Sequence, residues 1–289
     1  MTSSRRDLLL AAAATALAGC GRRKAASSRA GPAAATLEQA VAGSWRTSQE
    51  RARDRWRHPL ESLRFWGVRP GSTVVEFWPG SGWYTDILAP FLTATGGRLY
   101  AANLEPAEPA AKAVVEAYQR RLAARPDLYR SVGVTAFGPA SGPVAPAGSA
   151  DVVLFLRNLH NWMAAGIVEK AFRDALAALR PGGVLGVEEH RGRPGGVQDA
   201  MASSGYVQEA YVRQVAREAG FVFSAASEIN ANPRDDRDHP FGVWTLPPER
   251  RSSPRGKPAD PGFDHAPFDR IGESDRMTLR FVKPGAAPA

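Results

Sequence analysis

The chain has 289 residues, with 37 Lys and Arg against 29 Asp and Glu, five His and a single Cys. At 44% hydrophobic and 23% charged it has the apolar content for one sizeable core, which excludes wholesale disorder and collagen-like or coiled-coil architectures. One Cys excludes an internal disulfide framework and a Cys-based zinc finger, and the net charge of +8 invites a nucleic-acid reading until that charge is located.

Residues 1–20, MTSSRRDLLLAAAATALAGC, place two arginines ahead of an apolar stretch from Leu8 to Ala18 that is too short to span a bilayer. That is the pattern of a signal peptide. Ser4-Arg5-Arg6-Asp7-Leu8-Leu9 resembles the twin-arginine export signal of bacteria, and Leu17-Ala18-Gly19-Cys20 resembles a lipobox. These resemblances imply an exported protein on the periplasmic face, lipidated at Cys20 and held to the membrane by that anchor. Residues 21–35, rich in Ala, Ser, Gly and Arg, read as a flexible tether. The signal carries +1, and Arg22, Arg23, Lys24 and Arg29 carry +4, which leaves +3 on residues 31–289. A body so nearly balanced gives no reason to expect nucleic acid as a partner.

Residues 36–68 read as an N-terminal helical segment, with Leu37, Val41 and Trp45 at four-residue spacing and a break at His58-Pro59, where the residue before proline leaves the helical region. The main domain, 69–289, opens with the turn Arg69-Pro70-Gly71-Ser72 and the β-branched run Thr73 to Phe77. The turn Pro79-Gly80-Ser81-Gly82 then leads into a helix. The alternation continues with strands over 97–103, 132–137, 150–156 and 184–188 and helices over 110–124, 167–179 and 207–219. A strand opens at Phe221, and a last one covers Arg276 to Val282. Such alternation predicts an α/β fold with a doubly wound, mostly parallel sheet. Ser141 to Gly148 reads as a Pro/Gly loop. Residues 230–272, about forty with little periodicity but with Trp244, Phe263 and Phe268, read as a lid-like insertion.

In such sheets ligands bind at the carboxyl ends of the strands, where a glycine turn lets backbone N–H groups approach them. Val74-Val75-Glu76-Phe77-Trp78-Pro79-Gly80-Ser81-Gly82 resembles motif I of the class I S-adenosylmethionine (SAM)-dependent methyltransferases. The strand at Gly97 to Asn103, Ala150-Asp151-Val152-Val153 and Leu179-Arg180-Pro181-Gly182-Gly183 follow in that family's order. A narrower resemblance is to predicted exported methyltransferases with a P-G-x-G-W/Y-Y-T loop. It is carried also by Arg53-Asp54-Arg55-Trp56-Arg57-His58-Pro59, Glu188-Glu189-His190-Arg191, Asn232-Pro233, Asp238-His239-Pro240 and Gly272-Glu273-Ser274-Asp275-Arg276. The resemblance covers roughly residues 50–283. It implies a Rossmann-like, seven-stranded sheet with an antiparallel C-terminal strand, and SAM as cofactor. Glu76, Gly80, Ser81 and Gly82 would lie at its methionine end, and Asn103 or Glu105 at its ribose. Trp78 departs from the family glycine, Asn103 from the ribose acid, and Ala136-Phe137 lack the acid that often reads the adenine amine.

Methyl transfer needs alignment of an acceptor with the sulfonium methyl and, for an N–H or O–H acceptor, removal of a proton. His160 and His190, with Glu188, are the candidate catalytic groups. Asn158, Asn161, Trp162, Tyr206, Asp238 and His239 are the candidate substrate contacts. A helix cap or a solvated strand end is the structural alternative for the first three. The expected function is SAM-dependent methyl transfer onto an unidentified small molecule. The alternatives are a non-catalytic binding protein on the same fold and, with no H-E-x-x-H pair to support it, a metal-dependent hydrolase using His160, His190 and His239. No metal is expected.

Overall fold

The computed structural model describes residues 34–107 and 109–285, so the expected export signal, Cys20 and the expected tether up to residue 33 lie outside the described residues. The N-terminal segment forms four short helices: α1 (Leu37–Val41), α2 (Ser48–Ala52), α3 (Asp54–Arg57) and α4 (Pro59–Phe65). Two capping boxes cut it up: Thr36 pairs with Gln39 and Thr47 with Glu50, each satisfying the free N–H groups of a helix start. His58 ends α3 at φ 37°, where Pro59 begins the next helix.

The sheet holds β1 (Thr73–Phe77), β2 (Arg98–Leu104), β3 (Val132–Phe137), β4 (Ala150–Leu156), β5 (Leu179–His190), β6 (Val222–Ser227) and β8 (Arg276–Val282) in the order β3-β2-β1-β4-β5-β8-β6. β1 to β5 pair in parallel, while β8 runs antiparallel to β5 and β6 antiparallel to β8. The sequence expectation of seven strands with one reversed C-terminal strand therefore holds. β7 (Pro240–Val243) lies outside this sheet, within the 230–272 insertion. The connecting helices are α5 (Thr85–Thr95), α6 (Pro109–Ala124), α7 (Pro126–Tyr129), α8 (Leu159–Ala164), α9 (Val168–Ala178) and α10 (Glu209–Glu218), with α11 (Ala266–Ile271) in the insertion.

Each face of the sheet carries its own core. On one side Phe77, Phe155, Trp162, Phe172 and Phe281 pack together with α8, α9 and α10. On the other Trp66, Val74, Ile87, Phe91, Leu99 and Leu154 pack with α1, α4 and α5. Parallel strands covered on both faces need apolar residues at nearly every position, as the ADVVLFL run of β4 has. Glu76 at the end of β1 is a buried exception.

Trp66 locks the N-terminal helices to the sheet. It is fully buried, its indole N–H donates to the Leu279 carbonyl at 3.0 Å, and its ring lies over Gly186 of β5, where a Cβ would come within 2.5 Å of it. Gly186→Ala should therefore force the indole to shift and lower unfolding stability by about 2 kcal/mol, measured by urea denaturation.

Candidate active site

The glycine turn after β1 builds the first wall. Trp78 has φ 43°, so it takes the left-handed backbone in which glycine is preferred, and Gly80 (φ 59°) and Gly82 (φ 89°) complete the turn. The Gly82 N–H closes it on the Pro79 carbonyl at 2.9 Å. Glu76, buried beneath, accepts the Thr85 hydroxyl at 2.7 Å, and Thr85 also meets the Tyr118 hydroxyl at 2.9 Å. Burial raises the Glu76 carboxyl from 4.5 to about 7, against the pull of Thr85, Arg157 and Arg121. A cationic group arriving beside Glu76 would favour its ionised form.

A cleft of about 550 Å³ runs along this turn. Glu76, Trp78, Gly80 and Ser81 line one side, and Glu50, Arg53 and Arg57 of the N-terminal helices line the other. Leu156, Arg157 and Asn158 close it below. Asn158 Nδ2 donates to the Trp78 carbonyl at 3.1 Å, which ties the ends of β1 and β4 together.

At the ends of β2 and β3 the picture changes. Asn103 is 1% exposed; its Oδ1 accepts the Leu104 N–H at 2.8 Å and its Nδ2 has no partner. A buried amide N–H without an acceptor is costly and suits a ligand hydroxyl. Yet the Trp78 indole reaches from β1 to donate to the Phe137 carbonyl at 2.9 Å and packs edge-on against Trp162. The Glu105 carboxylate turns away onto the 138–141 loop, accepting the Ala140 N–H at 3.1 Å. The residues thus fit SAM at its amino-acid and ribose portions, while the Trp78 indole stands where the resemblance places the adenine.

Four guanidiniums gather beside the cleft. Glu273 accepts Arg53 Nε at 2.6 Å, Arg57 Nε at 3.2 Å and Arg276 Nη1 at 3.2 Å. Glu188 binds Arg157 at 3.0 Å and Arg276 at 3.1 Å, and receives the Tyr84 hydroxyl at 3.2 Å. Burial raises both carboxyls, but the arginines outweigh it: Glu188 is held below its usual range and Glu273 at about 2. Glu188, expected as a catalytic group, is fully buried and serves as counter-ion to Arg157 and Arg276 instead.

A second cavity of about 200 Å³ shares Arg53, Arg57, Arg157 and Pro248 with the cleft and adds His160, His190, Trp244 and Ser274. Glu189 positions His160. Its carboxylate accepts Leu159 N–H at 2.6 Å and His160 N–H at 3.4 Å, capping α8 from outside, and meets His160 Nδ1 at 3.0 Å and His190 N–H at 2.8 Å. Acting as acceptor to all of these, Glu189 fixes a proton on His160 Nδ1. His190 packs 5.3 Å away, with Nδ1 at 2.6 Å from Ser274 Oγ. Burial first, then His160 and the arginines, push its pKa well down, so it stays neutral.

The remaining candidates lie elsewhere. Trp162 is fully buried in the aromatic core, and Asn161 is exposed, touching Asn158 at 3.5 Å. Tyr206 and His239 both bind the buried Asp235, at 2.9 and 2.8 Å, in a network that fastens the insertion. Asp238 is at the surface, 3.5 Å from Arg193. Asp235 also accepts the N–H groups of Arg237 and Asp275, and Glu189 is equally engaged. Arg157, Glu189, Glu273, Ser274 and Trp244 carry much of the site without having been singled out for it from sequence. The signal for Glu273 and Ser274 was the Gly272 to Arg276 stretch, and for Arg157 its place at a strand end.

No family model matches the chain, and no curated protein matches it. Among solved structures it is similar to a chain in the complex of the Haloferax volcanii Trm112 methyltransferase activator (TM-score 0.52, 15% identity, 84% of this chain and 96% of that one). It is also similar to the cyclase SpnF (0.50, 16%, 86% and 92%) and to a Galdieria sulphuraria protein named for sarcosine dimethylglycine methyl transfer (0.50, 15%, 83% and 88%). The fold is the class I methyltransferase, Rossmann-like one.

The raised Glu76 pKa has a thermodynamic signature. The folded state holds this proton more tightly than the unfolded chain, so between about pH 4.5 and 7 its contribution to stability falls as pH rises, and it is flat above. Glu76→Gln should match the parent near pH 4.5 and exceed it at pH 8 by about 3 kcal/mol, compared by urea denaturation at the two pH values.

Proposed function

We propose that this protein is an exported, lipid-anchored methyltransferase that uses SAM to methylate a small molecule. The observation that carries the reading is the adjacency of two cavities: one is lined by Glu76, Gly80 and Ser81, the other by His160 on its Glu189 support, and Arg53, Arg57 and Arg157 line both. Glu76 and the backbone of the glycine turn would hold the amino-acid end of SAM, and Asn103 Nδ2 a ribose hydroxyl. When bound, SAM supplies an electrophilic methyl group on a sulfonium.

The chain's own residues supply position and a proton acceptor. His160 Nε2 faces an acceptor in the second cavity and takes the proton of its O–H or N–H. Glu189 holds the imidazole in the tautomer that makes this possible, as a carboxylate does behind a catalytic histidine. Trp244, Val243 and Leu246 of the insertion exclude water from the same space. Backbone strain supports the assignment: Trp78 and Arg157 (φ 58°), at the ends of β1 and β4, are non-glycine residues in the left-handed region, a conformation that clusters at functional sites.

One observation favours a second reading, a binding protein on this fold without methyl transfer: the Trp78 indole covers the adenine position. Calorimetric titration with SAM and S-adenosylhomocysteine tests the cofactor, and release of labelled methyl from SAM onto an acceptor separates the two. We expect both to bind, Gly80→Asp to abolish binding, and Trp78→Gly to tighten it about tenfold by removing the indole. No heat with either the parent or Trp78→Gly rejects SAM as cofactor.

The anchor is tested separately. Cys20→Ser should move the protein from the membrane fraction to the soluble fraction and abolish incorporation of labelled palmitate.

A further inference from the structure

We propose that the second cavity binds the carboxylate of a small organic acid, with the acid's apolar body against Trp244. This deepens the reading above by naming the class of the acceptor, and it rests on that reading for the chemistry alone; the binding stands by itself.

Arg53, Arg57, Arg157 and Arg276 meet two carboxylates, Glu188 and Glu273, and the neighbouring histidine, His190, is neutral. Glu189, behind the cavity, is engaged by His160 and three backbone N–H groups, while Glu249 lines the cavity itself. Of the residues that line the cavity, three arginines face two carboxylates, Glu249 and Glu273, which leaves one guanidinium in excess. Buried like charges repel and lack hydration, and an oxyanion remedies both.

Geometry says where the anion sits. Arg53 and Arg57 each use Nε on Glu273, and Arg157 uses Nη1 on Glu188. Among the described residues no hydrogen-bond acceptor meets the terminal nitrogens of Arg53 and Arg57 or Nη2 of Arg157. Arg57 is 5% exposed, and its guanidinium, stacked 4.7 Å over the Trp83 ring, lines both cavities. Burial, then Arg157, Arg53 and Arg276, push its pKa well down, the mark of a cation whose surroundings lack enough negative charge. Planar guanidiniums present paired N–H groups that match the two oxygens of a carboxylate.

One wall of the cavity is apolar. Val243, Trp244, Leu246 and Pro247 form the opposite wall, and the Trp244 ring stands 5.9 Å from that of His160. A bare inorganic anion leaves this wall unused, whereas an acid with an aromatic or short alkyl body covers it and brings its substituents to His160.

The test is calorimetric titration of the full-length protein with benzoate and phenylacetate, their neutral amides benzamide and phenylacetamide, and inorganic phosphate, each with and without saturating S-adenosylhomocysteine. We expect at least one acid to bind at least tenfold more tightly than its amide and than phosphate, with binding retained in the presence of S-adenosylhomocysteine. Arg53→Gln, whose side chain is partly exposed, should weaken the acid at least tenfold, and Trp244→Ala should weaken the acid but not phosphate. Equal binding of acid and amide, or no binding of either acid, overturns the proposal. Phosphate binding as tight as the acids overturns the organic-acid class. Displacement of the acids by S-adenosylhomocysteine overturns it too, since the arginines would then hold the cofactor's own carboxylate. Failure of SAM to bind rejects methyl transfer and leaves the acid titrations readable.

Discussion

The architecture depends on how one cluster of buried and half-buried charges is held: Arg53, Arg57, Arg157 and Arg276 around Glu188 and Glu273. These six residues come from the N-terminal helices, the end of β4, the end of β5, the segment before β8 and β8 itself. Burying an ion without a partner costs several kcal/mol, so removing one carboxylate would leave two or three guanidiniums exposed to each other in a dry site. The fold cannot place the N-terminal helices elsewhere without breaking these pairs. What sequence reading treats as an N-terminal extension is thus one wall of the cleft, fastened below by Trp66 and above by Glu273.

The strand ends show why a site of this fold can be degenerate in its motifs and still be organised. Trp78 keeps the left-handed backbone of the glycine it replaces, so the turn retains its path and Gly80 its open approach. The change is in the side chain, which crosses to donate to the Phe137 carbonyl; the neighbouring Asn103 amide has no acceptor among the described residues. Glu105 compounds it by closing the 138–141 loop. The cleft along the glycine turn is therefore open to a ligand, and the space beside Phe137 is filled by the Trp78 indole. That asymmetry distinguishes this chain from what its motif alone implies. SpnF, a cyclase by name, has the same fold, so chemistry here has to be argued from side chains.

Most of the sheet was legible because its information is local: glycine turns, β-branched runs and buried strands of five to seven residues declare themselves within a short window. The helices of 36–68 declared their type but not their number, since the Thr36 and Thr47 capping boxes compete with the longer apolar periodicity. The site was only partly legible because its pairings are distant. Strand alternation separated Glu188 from Glu189, as it must, but could not say what each would face. That depends on the β4–β5 register, Leu156 opposite Glu188, which brings the start of α8 over Glu189 and Arg157 beside Glu188. Asp238 and His239 looked like lid residues aimed at substrate. The acid that matters there, Asp235, is instead saturated by Tyr206 and His239 from within the insertion's own footing.

That footing explains how an irregular segment of some forty residues can form a cavity wall. Arg276, opposite His190 in the β5–β8 pairing, binds Glu188 and Glu273 and also donates to the Trp56 carbonyl. Next to it Asp275 accepts Arg191, Arg237 and the Asn232 N–H, and its own N–H goes to Asp235. Insertion, sheet and N-terminal helices therefore meet at two adjacent residues. The segment needs little regular structure because both of its ends are fixed there, and Trp244 is carried between them over His160. A ligand that neutralises the arginines would act on the same residues that hold the insertion down, so charge in the cavity and position of its apolar wall are physically coupled.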